Sequence, residues 1–339
     1  MKSVRLYNPL DLRFETVNQA PDPGPNEVRV HVAYAGICGS DIHNYKTGQW
    51  ISRSPSIAGH EFSGWIEATG EGVCDLSIGD KVIADSRYYC GKCHNCKTDM
   101  QHLCETLGFI GEAIDGGFAE LITLPAKLIV KCDPKIPLDI AALAEPLAVS
   151  LHALNRMNIP DDEPLLIIGS GPIGALAALA SRQLSGRPLG VMDINQERME
   201  TVANLSAASI FKAAKINQFD NPFSRPIRYV LDTTGNIGVI SSLVQNMNGC
   251  TIGLVGIGTG SLDIEPTALV EREISLVGCH AFSSELTDAV QMLNTAPALF
   301  KPIIGSVISL EETPPVFKAI ADGKAKGIKT LIKVQDDCG

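Results

Sequence analysis

Residues 26–38, NEVRVHVAYAGIC, alternate apolar and polar side chains, the period of a half-buried strand. FSGWIEATGEGV (62–73) and GDKVIADS (79–86) read as further short strands broken by glycine turns, so the first 150 residues are predicted to be β-rich. Beyond them the pattern changes. EPLLIIGSGPIGALAALASRQL (163–184) runs from a continuous apolar segment through a glycine turn into an Ala/Leu-rich helix. PLGVMDIN (188–195), IRYVLDTTGN (227–236), CTIGLVGIGTG (250–260) and EISLVGCHAF (273–282) follow as apolar strands, with helical stretches between most of them. Strands alternating with helices predict a doubly wound parallel sheet. LTDAVQML (286–293) and VISLEETPPVFKAIADGKAKGIKTLIKV (307–334) mix helix and strand again. No internal repeat or low-complexity tract interrupts the chain, and the two patterns meet near residue 150.

A length of 339 residues exceeds one compact core of ordinary size and predicts two domains. The net charge of −10, without a Lys/Arg run, argues against nucleic acid as a partner. The start, MKSVRLYNPLDLRFETV, has no apolar stretch of the signal-peptide kind, and no uninterrupted apolar window suggests a membrane span. The expectation is a cytoplasmic protein with no membrane partner. In a reducing compartment, clustered cysteines are read as metal ligands before disulfides.

Four of the ten cysteines crowd into YCGKCHNCKTDMQHLC (89–104). Cys90, Cys93 and Cys96 form C-x2-C-x2-C, and Cys104 follows in the same loop. Four thiolates fill a tetrahedral Zn2+ shell and leave no position for substrate, so the expected role is a structural staple. An iron–sulfur cluster is the rival reading of that spacing. The chemistry is then expected elsewhere.

Gly169, Gly171 and Gly174, with Pro172 and Ile173 between them, make G-x-G-x-x-G directly after a strand and at the start of a helix. That context predicts a dinucleotide pyrophosphate on the helix N-terminus. Asp193 lies nineteen residues after Gly174, at the end of the next strand. A carboxylate there accepts hydrogen bonds from ribose hydroxyls and repels a 2′-phosphate, which favours NAD over NADP.

Two other stretches are dense in ligand types. GICGSDIH (36–43) holds Cys38, Ser40, Asp41 and His43; AGHEFSG (58–64) holds His60 and Glu61. Cys, His and Glu from separate segments can build an open zinc site. ALAEPLAVSLHAL (142–154) places Glu145 in apolar surroundings, where a carboxylate needs a partner, and a metal would be one. Each residue alone also has an ordinary reading as core or cap. His31, His94, His102, His152 and His280 stay mostly in that ordinary class. Cys74, Cys132, Cys250, Cys279 and Cys338 read as packing or surface thiols.

GICGSDIH, GHEFSG, GDKV, CGKCHNCKTDMQHLC, DGGFAEL, EPLAVSLHAL and GSGPIG…D occur in this order along essentially the whole chain. Together they resemble the zinc-dependent medium-chain dehydrogenase/reductase superfamily, in its sorbitol dehydrogenase-like branch of polyol and sugar-acid dehydrogenases. The resemblance implies a GroES-like catalytic domain (1–149) carrying the structural zinc loop. It further implies a Rossmann NAD-binding domain (150–284) and a C-terminal segment (285–339) returning to the catalytic domain. It implies two Zn2+ per chain and NAD, with Cys38, His60 and Glu61 as the catalytic zinc shell. Glu145 would alternate with solvent as a ligand, and Cys90, Cys93, Cys96 and Cys104 would form the structural site. Arg198 would lie beside the adenosine, and Val255, Gly256 and Ile257 would line the nicotinamide. The implied reaction oxidises a secondary alcohol of a polyol or sugar acid, the proton leaving through Ser40 towards His43. Sugar-alcohol phosphates, amino alcohols and simple alcohols are the alternative substrates, and a non-catalytic nucleotide-binding protein is a remote one. A homo-oligomer, dimer or tetramer, is implied as well. The chain departs from the sorbitol enzymes at Asn44, where they carry tyrosine, and at Ala281–Phe282, where they carry Arg-Tyr. Both places bear on substrate hydroxyls.

Overall fold

A computed structural model of the chain describes residues 1–212 and 221–335. Cys338 lies outside the described residues. The chain divides into two compact units, Met1–Glu145 with Leu286–Gly339, and Pro146–Glu285.

In the first unit, the strand Glu27–Gly36 is the organising element. Its alternating burial fits the pattern of residues 26–38. It pairs antiparallel with Glu61–Thr69 and Leu121–Pro125. The strand Lys329–Lys333 returns from the far end of the sequence and pairs with it too, in the register Leu331↔Gly36 and Lys333↔Tyr34. These strands, with Lys81–Ala84, Ile129–Lys131 and Ile304–Ser309, form a seven-stranded sheet. Val28, Val30, Val32, Ile66 and Leu124 are fully buried beneath it. Removing that apolar surface from water supplies the main stabilisation of the unit.

Register also sets the chemistry. Glu61 pairs with Gly36. A Cβ at Gly36 would collide with Glu61 Oε2 and lie 2.8 Å from Lys329 Cε, so only glycine leaves room for those two side chains. We expect Gly36→Val to destabilise the unit by about 2 kcal/mol or more, since overpacking and displacement of buried charge act together. Urea unfolding checks this, and a wild-type midpoint would refute it.

The second unit is a six-stranded, all-parallel sheet. Its order is Ser209–Ile210, Leu189–Met192, Leu165–Ile168, Tyr229–Asp232, Thr251–Leu254, Ser275–Gly278. The chain starts in the middle, works to one edge, then crosses to the other half. Ligands of such sheets bind at the carboxyl ends of the strands where the order reverses, here between Leu165–Ile168 and Tyr229–Asp232. Leu165–Ile168 is apolar at every position because both faces are covered. No helix among the described residues is long and apolar enough to cross a membrane.

Candidate active site and metal centres

Gly91, at φ +72°, turns the chain between Cys90 and Cys93. The short helix His94–Lys97 then carries Cys96 back, and the 3-10 turn Gln101–Leu103 delivers Cys104. The four Sγ atoms lie within 4.8 Å of one another. Cys90 and Cys96 stand 3.9 Å apart, as do Cys93 and Cys104. A disulfide needs about 2 Å. Four thiolates at about 2.3 Å from one tetrahedral zinc stand about 3.8 Å apart. Thiolates on different irons of a cluster would be spread further by the bridging sulfides. The donor set therefore fits one zinc ion. The backbone N–H groups of Lys92 and Cys93 each reach Cys90 Sγ at 3.4 Å and pull that thiol down to about 6, so it is readily a thiolate. With every donor a cysteine, this centre is closed. We expect Cys93→Ser to cost one zinc and lower the melting temperature by roughly 5 °C, with turnover per zinc-loaded chain nearly unchanged. Thermal melts with metal analysis check it, and unchanged stability would refute the staple role.

The second cluster forms where the strand Glu27–Gly36 ends and the helix Gly39–Thr47 begins. Cys38 is the helix N-cap residue, and its N–H donates to Asp41 Oδ2 at 2.9 Å. That bond fixes the turn carrying the thiol. Glu61 begins the neighbouring strand, with His60 just before it. The ligand atoms of Cys38, His60 and Glu61 lie within 4.8 Å of one another. His60 and Glu61 are buried, and Cys38 is half-buried. Asp41 Oδ1 faces His60 Nδ1 at 3.5 Å, and Ser40 Oγ stands 3.5 Å from His60 Nε2. Burial alone would lower the His60 pKa; Asp41, then Cys38, more than offset it and hold the imidazole well above its usual range. Negative charge is thus concentrated around a buried imidazole. Thiolate, imidazole and carboxylate in such a field suit Zn2+, and three donors leave an open position. A carboxylate against the imidazole's other nitrogen is the usual means of orienting a histidine ligand.

Glu145 reaches the same region from the start of the helix Ala144–Met157. Its Oε1 accepts from Ser86 Oγ at 2.7 Å. Burial pushes it up to about 7, His60 pulls it down and Glu61 raises it again. It interacts with the trio without belonging to that compact donor set. His43 has its Nε2 2.8 Å from Gln49 Oε1 and packs against Trp50 with ring centres 4.7 Å apart. The structure thus brings Ser40 to His60 and His43 to the Gln49–Trp50 loop.

Three residues at this cluster are not signalled by any sequence motif. Lys329 is 1% exposed; its Nζ pairs with Glu61 Oε2 and donates to Ile37 O at 2.9 Å. Asp41 was visible only as one polar residue among several. Glu112 is pushed up to about 7 by burial; His60 lowers it and Asp41 raises it, which places its carboxyl within electrostatic reach of the cluster. Asn44, at the first departure from the sorbitol enzymes, is buried and its Oδ1 accepts from Trp50 N at 2.9 Å. Phe282, at the second, is fully buried.

In the parallel-sheet unit, Gly169 turns at φ +99° and Gly171 caps the helix Pro172–Leu184, whose first residue is proline. A Cβ at Gly174 would collide with Gly169 O, so the helix sits directly on the turn. A helix start leaves its first N–H groups without intrahelical partners, and one that follows a glycine turn off a strand is the arrangement that binds a pyrophosphate. Asp193 Oδ2 accepts from Ser170 N inside the glycine turn, and Oδ1 accepts from Asn195 N at 2.7 Å. Its carboxylate is thereby fixed beside the turn. Arg198 lies in the first turn of the helix Gln196–Ser206, its N–H donating to Asn195 Oδ1 at 3.0 Å. Val255, Gly256 and Ile257 follow the strand Thr251–Leu254. The N–H groups of Val255 and Gly256 reach Asp232 O at 3.1 and 3.3 Å, and Ile257 is half exposed. All these residues gather at the carboxyl ends of the strands.

Residues 24–134 match the alcohol dehydrogenase GroES-like domain. A zinc-type alcohol dehydrogenase-like protein of Haemophilus influenzae is 32% identical over 328 residues, covering 95% of each chain. Sorbitol dehydrogenase of Arabidopsis thaliana is 28% identical, covering 93% of this chain and 90% of its own. The solved structure of galactitol-1-phosphate dehydrogenase from Escherichia coli aligns over 98% of this chain and 100% of its own, with a TM-score of 0.87 and 26% identity. The chain belongs to the zinc-type alcohol dehydrogenase family: it is a zinc- and nicotinamide-dependent oxidoreductase with a GroES-like and a Rossmann part.

Proposed function

We propose that the protein transfers hydride between NAD and a secondary alcohol of a polyol or sugar acid. The observation that carries this reading is the compact Cys38–His60–Glu61 donor set, three ligands for an ion that takes four. In this reading the unit of residues 1–145 and 286–339 carries the metal chemistry and the unit 146–285 binds the nucleotide. When bound, zinc supplies a Lewis acid for the hydroxyl and the nicotinamide supplies the hydride acceptor. The chain does the rest. Asp41 orients His60. Ser40, beside His60, accepts the hydroxyl proton as its own proton moves on towards half-exposed His43 and solvent. Glu145 offers a releasable donor at the same site. A reducing, cytoplasmic setting keeps the described cysteines as thiols, and a homo-oligomer is part of the same reading.

The test is NADH formation at 340 nm by zinc-loaded protein on hexitols, pentitols, aldonates, their phosphates, amino alcohols and simple alcohols. Turnover of a polyol or aldonate supports the proposal, and activity confined to the other classes would overturn it. Asp193 also predicts the nucleotide. A 2′-phosphate about 5 Å from this carboxylate would cost about 3 kcal/mol at a near-surface dielectric, less where water screens it. We expect NAD+ to be preferred by about tenfold or more in kcat/KM, with Asp193→Ser narrowing the ratio. Equal efficiency with NADP+ would contradict this.

A further inference from the structure

We propose that Lys329 is a positioning residue of the metal site, whose ammonium competes with the metal for the Glu61 carboxylate and so makes Glu61 a releasable ligand. The inference rests on the reading that Cys38, His60 and Glu61 hold zinc.

Lys329 and Glu61 are each 1% exposed, and 268 residues separate them in sequence. A buried ammonium is costly unless paired and hydrogen-bonded, and Lys329 has both kinds of partner in Glu61 Oε2 and Ile37 O. Ile37 O belongs to the residue before Cys38, so one ammonium touches both segments that deliver the donors. The side chain is held there by backbone: the strand Lys329–Lys333 pairs with Glu27–Gly36, and the missing Cβ of Gly36 makes the space the pair occupies. A carboxylate has about four lone-pair sites. Those directed at Nζ are withdrawn from a metal beside His60. Cys38 and Glu145 also act on Lys329 electrostatically, so its charge offsets a cluster that would otherwise bind a dication more tightly. Glu61 is thus shared, and the fourth position at the metal is freed without breaking the Cys38–His60 anchor.

The competing explanation is that the ion pair only staples the C-terminal strand to the sheet. The rate of zinc release to a chelator separates the two, measured on zinc-loaded full-length wild type, Lys329→Met and Lys329→Arg. Zinc of the four-cysteine loop serves as the internal slow phase. Competition predicts opposite changes. Lys329→Met leaves Glu61 to the metal and slows release about tenfold or more. Lys329→Arg grips the carboxylate with two parallel bonds and speeds release. A staple predicts faster release in Lys329→Met, which loses the pair, and little change in Lys329→Arg, which keeps it. Cobalt(II) at the same site adds a ligand-sensitive readout. The Met and Arg spectra should shift in opposite directions from wild type, and unchanged spectra would overturn the proposal. Should Lys329→Met fail to fold, the Arg spectrum decides alone: a shift supports competition and no shift refutes it. A wild type that holds only the loop zinc shows no fast phase, and that result overturns the site reading itself.

Discussion

Cys38→Ser is expected to lower turnover by about a thousandfold, equivalent to about 4 kcal/mol of lost transition-state stabilisation. Serine is a poor zinc ligand at neutral pH, so the zinc content should fall from two per chain to one. The fold should survive, because serine is a preferred helix N-cap residue and the stabilising bond there runs from the Cys38 backbone N–H to Asp41. NADH binding should be unchanged, since the glycine turn and Asp193 lie in the other unit. Steady-state rates, metal analysis and NADH titration check the three parts. Wild-type turnover would show that the thiol does not hold the catalytic metal.

Glu145→Gln is expected to lower turnover by about ten- to a hundredfold and to loosen the catalytic zinc. Glutamine keeps the size, and its carbonyl oxygen can still accept from Ser86 Oγ, so packing is little disturbed. What is lost is the charge, and with it the releasable carboxylate donor. The loop zinc and the affinity for NADH should stay as in wild type. Unchanged turnover and unchanged zinc content together would remove Glu145 from the site.

What could be read from the sequence follows how local each feature is. The four cysteines of the loop sit within fifteen residues, so their spacing alone pointed to a metal shell, zinc first and an iron–sulfur cluster as the rival. The glycine turn was legible for the same reason: strand, turn and helix are consecutive, and Gly169 and Gly174 each have a local steric cause, φ +99° at the first and close approach to Gly169 O at the second. Continuous apolar runs gave the parallel strands because burial on both faces removes alternation. Lys329 was illegible. In GIKTLIK it looks like an ordinary polar residue at a strand start, and only antiparallel pairing with Glu27–Gly36 turns it inward onto Glu61. Asp41 and Glu112 were missed for a related reason: their roles depend on a histidine brought from another segment. The resemblance to the sorbitol enzymes drew attention to Asn44 and Ala281–Phe282 as places that bear on substrate hydroxyls. The structure gives Asn44 a hydrogen bond to the Trp50 backbone and buries Phe282 completely.

The proposed chemistry requires an open zinc site at Cys38, His60 and Glu61, separate from the cysteine loop. The most direct measurement is the zinc content of catalytically active wild-type protein, by elemental mass spectrometry against protein concentration. Two zinc ions per chain is the predicted result. One zinc per chain in fully active enzyme would contradict it.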